Sequence, residues 1–504
     1  MASSSVIPAT PGRSQHLGGE SLVERYPQDP AEASGVPPEL SSITEEIFFV
    51  LICSMGQLLF AIHLGHSFVA QNLFADALQL GNGEAPWVTG AFLVANGVSV
   101  VISGSLADLV DPKRLVLGAF VWLGIWNLVG TFALVPSRYP VFFVARAMSG
   151  VAVGILCSAA ISMLGRVYRP GVRKNRVFAL MGAMIPIGFS IGALQGGALS
   201  RHLEWVSGST SLLAVVCLAA ATWCIPDLKN TAVSLRDFDL AGAAAGVVGC
   251  GLIVFGLTQG TPTRWSPYTY ALVIVGVGFV CLFVFIEGRA KHPLIDNRLW
   301  KVPGFIPLML AYFLGYGGYA GAWLSNVVRF FLTVQQRSPI MTATSLLTVG
   351  ISGMMASWVV SRLLHVAPGH FFLMGSMVAF SLGPCFFLPQ TARTSFWALP
   401  FPGFVVSAFG PDMSFAALSV FVTSNVPKNY QGAAGSLLMT AQNLSTAIFA
   451  ATSDTIAERV GEAAGELGGF RAVWWFALAT CLTAGLVCGF FVRIPKSEEK
   501  EHVT

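Results

Sequence analysis

Five ionisable side chains stand inside long apolar stretches of this sequence: His63, His66, Arg146, Arg329 and Asp412. Such groups are costly in an apolar setting and persist where they pair with one another or act on a solute or a proton. Asp412 is a carboxyl that a proton can neutralise, so it can carry that proton while a solute moves, or it can simply tie two helices. The coupling role is preferred, because Pro411 beside it frees a carbonyl in the preceding turn and so already disturbs the helix there. His63 and His66 suit a proton relay or, if neutral, a buried hydrogen bond. Arg146 can meet a carboxylate or a substrate, or brace the fifth apolar run through its backbone carbonyls, and bracing is preferred. Arg329 lies near the outer end of its run, where a guanidinium can extend to the interface. Gln195, Gln442 and Asn443 are uncharged candidates for the lining of a solute cavity.

A second constellation is the short polar turn from Gly104 to Arg114, between two apolar runs. Gly104 permits close helix contact, Asp108 closes the first run, and Lys113 and Arg114 open the next. An acidic residue tied by a tight turn to a basic pair can hold helices in one conformational state and release them in another; an ordinary loop is the alternative.

The elements that position these residues follow from composition. The chain has 504 residues, 54% hydrophobic and 11% charged, with a mean hydropathy of +0.68, against about 25% charge in soluble domains. This is an all-α polytopic membrane protein. A net charge of +4 spread over many short loops argues against a nucleic-acid partner. The nine cysteines all fall in apolar runs, without the spacing of a metal site or a disulfide framework. No metal or other cofactor is expected.

Residues 1–42 are rich in Ser, Pro, Gly and Glu and read as a disordered cytoplasmic tail. About fourteen runs of spanning length follow. They divide into a six-helix bundle at 43–226, a linker with two extra helices at 227–304, a second six-helix bundle at 305–492 and a short tail at 493–504. With both termini inside, Lys113, Arg114, Arg166, Arg173, Lys229, Arg236, Arg289, Lys301, Arg362 and Lys428 all face the cytoplasm, whereas few basic residues face outward. Two similar blocks suggest a duplicated transporter handling its solute near the midplane. Along the fifth run, Gly188, Gly192 and Gly196 recur every four residues and offer a flat face to another helix, while Pro186 permits a kink.

These residues resemble a known family. Gly104, Asp108, Lys113 and Arg114 are similar to the loop signature between the second and third helices of the major facilitator superfamily, with Asp111 in place of the usual glycine and Leu109 in place of an arginine. Arg146, Gly150 and Gly154 resemble its fourth-helix signature. Gly182, Pro186, Gly188, Gly192, Gly196 and Gly197 resemble the fifth-helix signature of antiporters. With the six-two-six count this points to the fourteen-span drug:proton antiporters. Pro86-Trp87, the run from Gly165 through Asn175, Gly410 through Phe415 and Gln431 through Leu437 are similar to the fungal aminotriazole-resistance-like branch.

The resemblance implies that the cavity is lined by the first and fourth helices of each half, which carry all five ionisable residues. It also implies export of toxic compounds or secondary metabolites, although the family includes carriers of small inorganic solutes. The expected function is therefore proton-coupled efflux of a small organic compound by alternating access. An uptake permease for a small ion or nutrient and a non-transporting receptor or scaffold are the alternatives. An enzyme is not expected, since no nucleophile and base pair stands in the loops. The expected partners are a small-molecule substrate, protons and the lipid bilayer. The expected setting is a monomer in the plasma membrane, with a vacuolar or other endomembrane as the alternative.

Overall fold

A computed structural model describes residues 37–81, 84–168, 172–227, 239–290, 293–295, 298–363, 367–426 and 431–494. Most of both expected tails, the polar segment 228–238 and the middle of the Gly165–Asn175 run lie outside these residues.

The described chain is helical throughout, without strands. The first bundle comprises α1 (Ile43–Ala77), α2 (Trp87–Leu109), α3 (Pro112–Phe132), α4 (Tyr139–Val167), α5 (Val172–Ala198) and α6 (Glu204–Cys224). A hairpin follows, made of α7 (Leu240–Gly260) and α8 (Pro267–Glu287). The second bundle opens with α9 (Phe305–Tyr316), a π-helical stretch over Gly317–Leu324, and α10 (Ser325–Thr333), which together make one span. It continues with α11 (Pro339–Leu363), α12 (Gly369–Phe387), α13 (Pro400–Ser407), α14 (Phe409–Asn425) and α15 (Gln431–Phe491).

Local chemistry sets several of these boundaries. Ser42 caps α1 by accepting from the Glu45 amide at 3.2 Å. At the tight turn between α2 and α3, Asp111 caps α3 by accepting from the Lys113 amide at 3.0 Å, and Pro112 takes the first helical position, where its missing donor costs nothing. That role accounts for an aspartate where a glycine is usual.

Thirteen of the described helices are long and apolar enough to cross a bilayer. One of them, α15, runs for 61 residues, about three times the length a bilayer core needs. It is not straight. Gly465 interrupts it with φ 75° and ψ 165°, and a methyl placed on Gly469 would overlap the Ala457 carbonyl. The chain therefore folds back on itself within α15. The outward surface carries exposed Ile125, Leu128, Phe132, Val141 and Val144, an apolar girdle that suits lipid.

Two helix pairs make most of the contact between the bundles: α2 packs on α15, and α5 packs on α11. Helix α5 presents different glycines to different neighbours. Methyls on Gly188 and Gly192 would overlap the Leu58 and Ile62 carbonyls of α1, and one on Gly196 would lie 3.0 Å from the His66 oxygen. Toward the other bundle, a methyl on Gly197 would sit 2.8 Å from Ala343, and Pro186 lies so close to α11 that one on Gly353 would sit 2.5 Å from its Cβ. Gly182 meets Phe415 of α14.

The hairpin touches both bundles through α7. Phe255 packs on Trp87 of α2 with ring centroids 5.1 Å apart, and the Thr261 and Thr455 hydroxyls meet at 2.5 Å. Helix α8 is left largely to the lipid, with 11% of its apolar window buried.

A side chain at Gly192 has nowhere to go without moving the main chain of α1. Gly192→Ala is expected to destabilise the fold by about 1–3 kcal/mol, as overpacking does. Gly118→Ala, with nothing within 4 Å, should leave stability unchanged. Thermal unfolding of the two variants in detergent checks this.

Candidate functional site

The first bundle holds a buried cation. Arg146 on α4 donates through Nε to the Val88 carbonyl at 3.0 Å and through Nη2 to Ser67 Oγ, while its Nη1 meets His66 Nε2 at 2.8 Å. Phe92 lies 5.5 Å from the guanidinium carbon. Among the described residues no carboxylate pairs with it. Arginine has only donors, so His66 Nε2 must accept, which makes His66 neutral with its proton on Nδ1. That proton goes to Gln195 Oε1 at 3.0 Å, and Gln195 Nε2 in turn donates to Ser209 Oγ at 2.7 Å and the Val206 carbonyl at 3.1 Å. Arg146 thus braces α1 and α2, and it reaches the expected α5 only through His66 and Gln195. Gln195 ties α1 to α6 and lines neither of the two inter-bundle spaces described below.

His63 is fully buried and stacks on Phe92 with centroids 4.7 Å apart and planes within 2°. Its Nδ1 donates to the Leu59 carbonyl at 2.8 Å, which leaves Nε2 as a lone pair without a hydrogen-bond partner.

In the second bundle Asp412 stands in the first turn of α14. Its Oδ1 accepts from Ser357 Oγ of α11 at 2.5 Å. A methyl on Gly353 would lie 3.7 Å from its other oxygen and against Pro186 of α5, so the carboxyl sits where α11, α14 and α5 converge. Arg329 does not simply extend to the interface as expected. It pairs with Asp454 of α15 at 2.5 Å. Asp454 lies just past the expected end of its apolar run, so a reading by hydropathy leaves it out, whereas the helix continues through it. Asp412 is therefore not the only carboxylate on the spanning helices.

Uncharged groups cross between the bundles. Asn443 Nδ2 donates to Asn96 Oδ1 at 2.6 Å, and Thr440 Oγ1 donates to the Gly97 carbonyl at 3.0 Å. Gln442 sits between two tyrosines: Tyr312 donates to its Oε1 at 2.6 Å, and its Nε2 donates to the Tyr316 hydroxyl at 3.1 Å. Asn96, Gln57 and Ser357 are not among the residues the sequence singles out, although it marks other neutral amides at Gln195, Gln442 and Asn443.

Two spaces lie along this boundary. A cavity of about 50 Å³, lined by Gln71, Thr89, Thr258, Arg329 and Asp454 among others, has room for a few waters but not for an organic solute. A deeper cleft between Gln57, Phe60, Asn96, Gln442 and Asn443 is closed even to water. His63, His66 and Arg146 line neither space.

At the turn between α2 and α3 the Asp108 side chain lies outside the described residues. Lys113 pairs with Asp227 at the end of α6, at 2.9 Å, and Arg114 pairs with Asp111 at 3.6 Å. The contact between bundles at this end is made by Gly104, where a methyl would lie 3.0 Å from Ser436 Oγ. Nearby, Glu46 on α1 accepts from the Tyr168 hydroxyl and from Arg173 Nε, each at 2.8 Å. Burial, with the Glu46 carboxylate beside it, pushes the Tyr168 hydroxyl above its usual range, and the Glu46 hydrogen bonds raise the Arg173 guanidinium.

Two helical bundles that span a membrane and meet across a closed polar boundary define a membrane carrier. The chain belongs to the Major Facilitator Superfamily, whose pattern it matches over residues 48–450. It is thus an integral membrane transporter, not an enzyme. It is 30% identical to the low affinity ammonium transporter of Saccharomyces cerevisiae, over 87% of this chain and 86% of that one. It is 29% identical to the efflux pump terJ of Aspergillus terreus, over 89% and 88%, and 26% identical to the aminotriazole resistance protein of Saccharomyces cerevisiae, over 89% and 84%. These place it in the fungal drug-transporter branch. Among solved structures, a peptide transporter superposes with a TM-score of 0.64 at 18% identity, over 93% of this chain and 99% of that one, which shows the shared fold.

Removing the acceptor that faces Arg146 leaves a buried guanidinium N–H unpaired. His66→Leu is expected to cost about 1–3 kcal/mol of stability. His66→Gln keeps an acceptor and a donor and should cost less. Unfolding in detergent with denaturant ranks the two variants.

Proposed function

We propose that this transporter is a proton-coupled efflux carrier, exporting a small organic compound such as a drug, toxin or secondary metabolite by alternating access. It works as a monomer in the plasma membrane with both termini cytoplasmic. The six-helix unit 43–226 rocks against 305–492, and the linker 227–304 joins them.

The observation that supports this reading is the setting of Asp412, a carboxyl whose hydrogen-bond partner among the described residues is the Ser357 hydroxyl, at the meeting point of α5, α11 and α14. Protonation removes its charge, and proton loss restores a charge that favours water. Gain and loss of the proton therefore favour different packings of the helices around it, which is what coupling requires. The efflux pump and the aminotriazole resistance protein among its relatives support export. A second reading, uptake of a small cation, is favoured by the relative named as an ammonium transporter.

The test is transport of radiolabelled aminotriazole by the purified chain in liposomes under an imposed pH gradient. Asp412→Asn should still exchange label across the membrane but lose accumulation against a gradient and its dependence on external pH. His63→Gln and His66→Gln should keep both. If the aspartate variant retains full gradient-driven transport while a histidine variant loses it, the proton is carried on α1. Inward accumulation of methylammonium under an inward proton gradient, with no outward movement of aminotriazole, would favour the second reading.

Asp108, with Lys113 and Arg114, is the proposed gate between inward-open and outward-open states. Asp108→Asn should lower turnover severalfold at unchanged surface expression, and normal turnover would remove the gate.

A further inference from the structure

The closed cleft between the bundles is built from amides, and their orientation is fixed by a chain of hydrogen bonds. The Gly150 carbonyl can only accept, so the Asn96 group 3.1 Å from it must be the NH₂. Asn96 then turns its oxygen to Asn443. Asn443 must answer with its own NH₂, at 2.6 Å. Its oxygen is left over. Asn443 is 4% exposed, and no described group donates to Oδ1. A buried amide oxygen in that position is costly until something donates to it.

Across the cleft on α1, Gln57 is 2% exposed, and its amide has only the weak acceptor Met439 Sδ at 3.8 Å. Gln442 is already occupied at both ends by Tyr312 and Tyr316. None of the residues lining the cleft is charged, and Phe60 and Met439 supply apolar surface. A carboxylate would find no cation there, and an ammonium group no counter-charge. A compact neutral molecule with an N–H or O–H donor would satisfy Asn443, and its other polar atom would satisfy Gln57.

We infer that Asn443 and Gln57, one from each bundle, form a substrate site selective for small uncharged hydrogen-bond donors. This rests on the reading that solute crosses between the bundles, and it adds the class of solute. Because the cleft is closed in this conformation, the ligand enters only when α1 and α15 part there, and it then bridges them.

The test uses three probes of one shape: benzamide, benzoate and benzylammonium. Counterflow of each is measured with the full chain in liposomes at equal pH on both sides, so that the result does not depend on proton coupling. Benzamide should be carried, with the two ions at least about tenfold poorer, and Asn443→Leu should raise its KM about tenfold, the worth of one buried hydrogen bond. Asn443→Asp should shift preference to benzylammonium. Gln57→Leu, on the opposite bundle, should raise the benzamide KM as well and serves if the Asn443 variants do not fold. Failure to carry benzamide, a preference of the native chain for either ion, or unchanged KM in the folded variants overturns the assignment. Selective counterflow without gradient-driven accumulation would uphold the site and refute proton-coupled efflux.

Discussion

The contact on which the rest of the structure depends is that of α5 with α1, where two main chains lie against each other with no side chain between them. Gly188 and Gly192 let the Leu58 and Ile62 carbonyls come that close. In lipid, such packing has to supply the cohesion that the hydrophobic effect supplies in water. It fixes α5, and α5 then presents Gly182, Pro186 and Gly197 to the second bundle. One helix thus has a face committed to its own bundle and a face that meets the other. Asp412 stands beside the second.

The charges are divided in the same way. Arg146 and His66 are held among α1, α2 and α4 by groups that satisfy them, so they tie the helices of the first bundle to one another. The boundary itself is crossed by weaker, neutral bonds, such as Asn443 to Asn96 and Thr440 to Gly97. A boundary tied by buried ion pairs would resist separation, because each separation would strand a charge. Amides can trade one partner for another at much lower cost.

Most of the fold was legible in the sequence, because the bilayer forces each crossing to be an apolar helix of fixed length. Hydropathy is blind to where a helix goes once it leaves the lipid, and α15 shows the limit: its polar middle remains helical up to Gly465 and carries Asp454, the partner of Arg329. Charge marked His63, His66, Arg146 and Asp412 in the sequence, but the first three lie within the first bundle, away from both spaces between the bundles. Asn96 and Gln57 carry no charge, and what sets them apart from other amides is their partners, Asn443 and Gly150 for the one and Met439 for the other, which only the packing of the bundles reveals. Gln195 was legible as polar, but its direction toward α6 depended on the packing of α5, which sequence spacing alone does not set.

The hairpin of α7 and α8 gives the carrier an unusual tether. In a transporter whose halves are joined by a loop in water, the connection transmits little of the bilayer's state. Here the connection is itself a pair of spans, with α7 touching Trp87 on one bundle and Thr455 on the other, and α8 turned almost wholly to the acyl chains. A bilayer thicker or thinner than this pair must tilt it or deform around it, at a fraction of a kcal/mol per Å. Since α7 touches both bundles, such a tilt of the pair reaches both of them together.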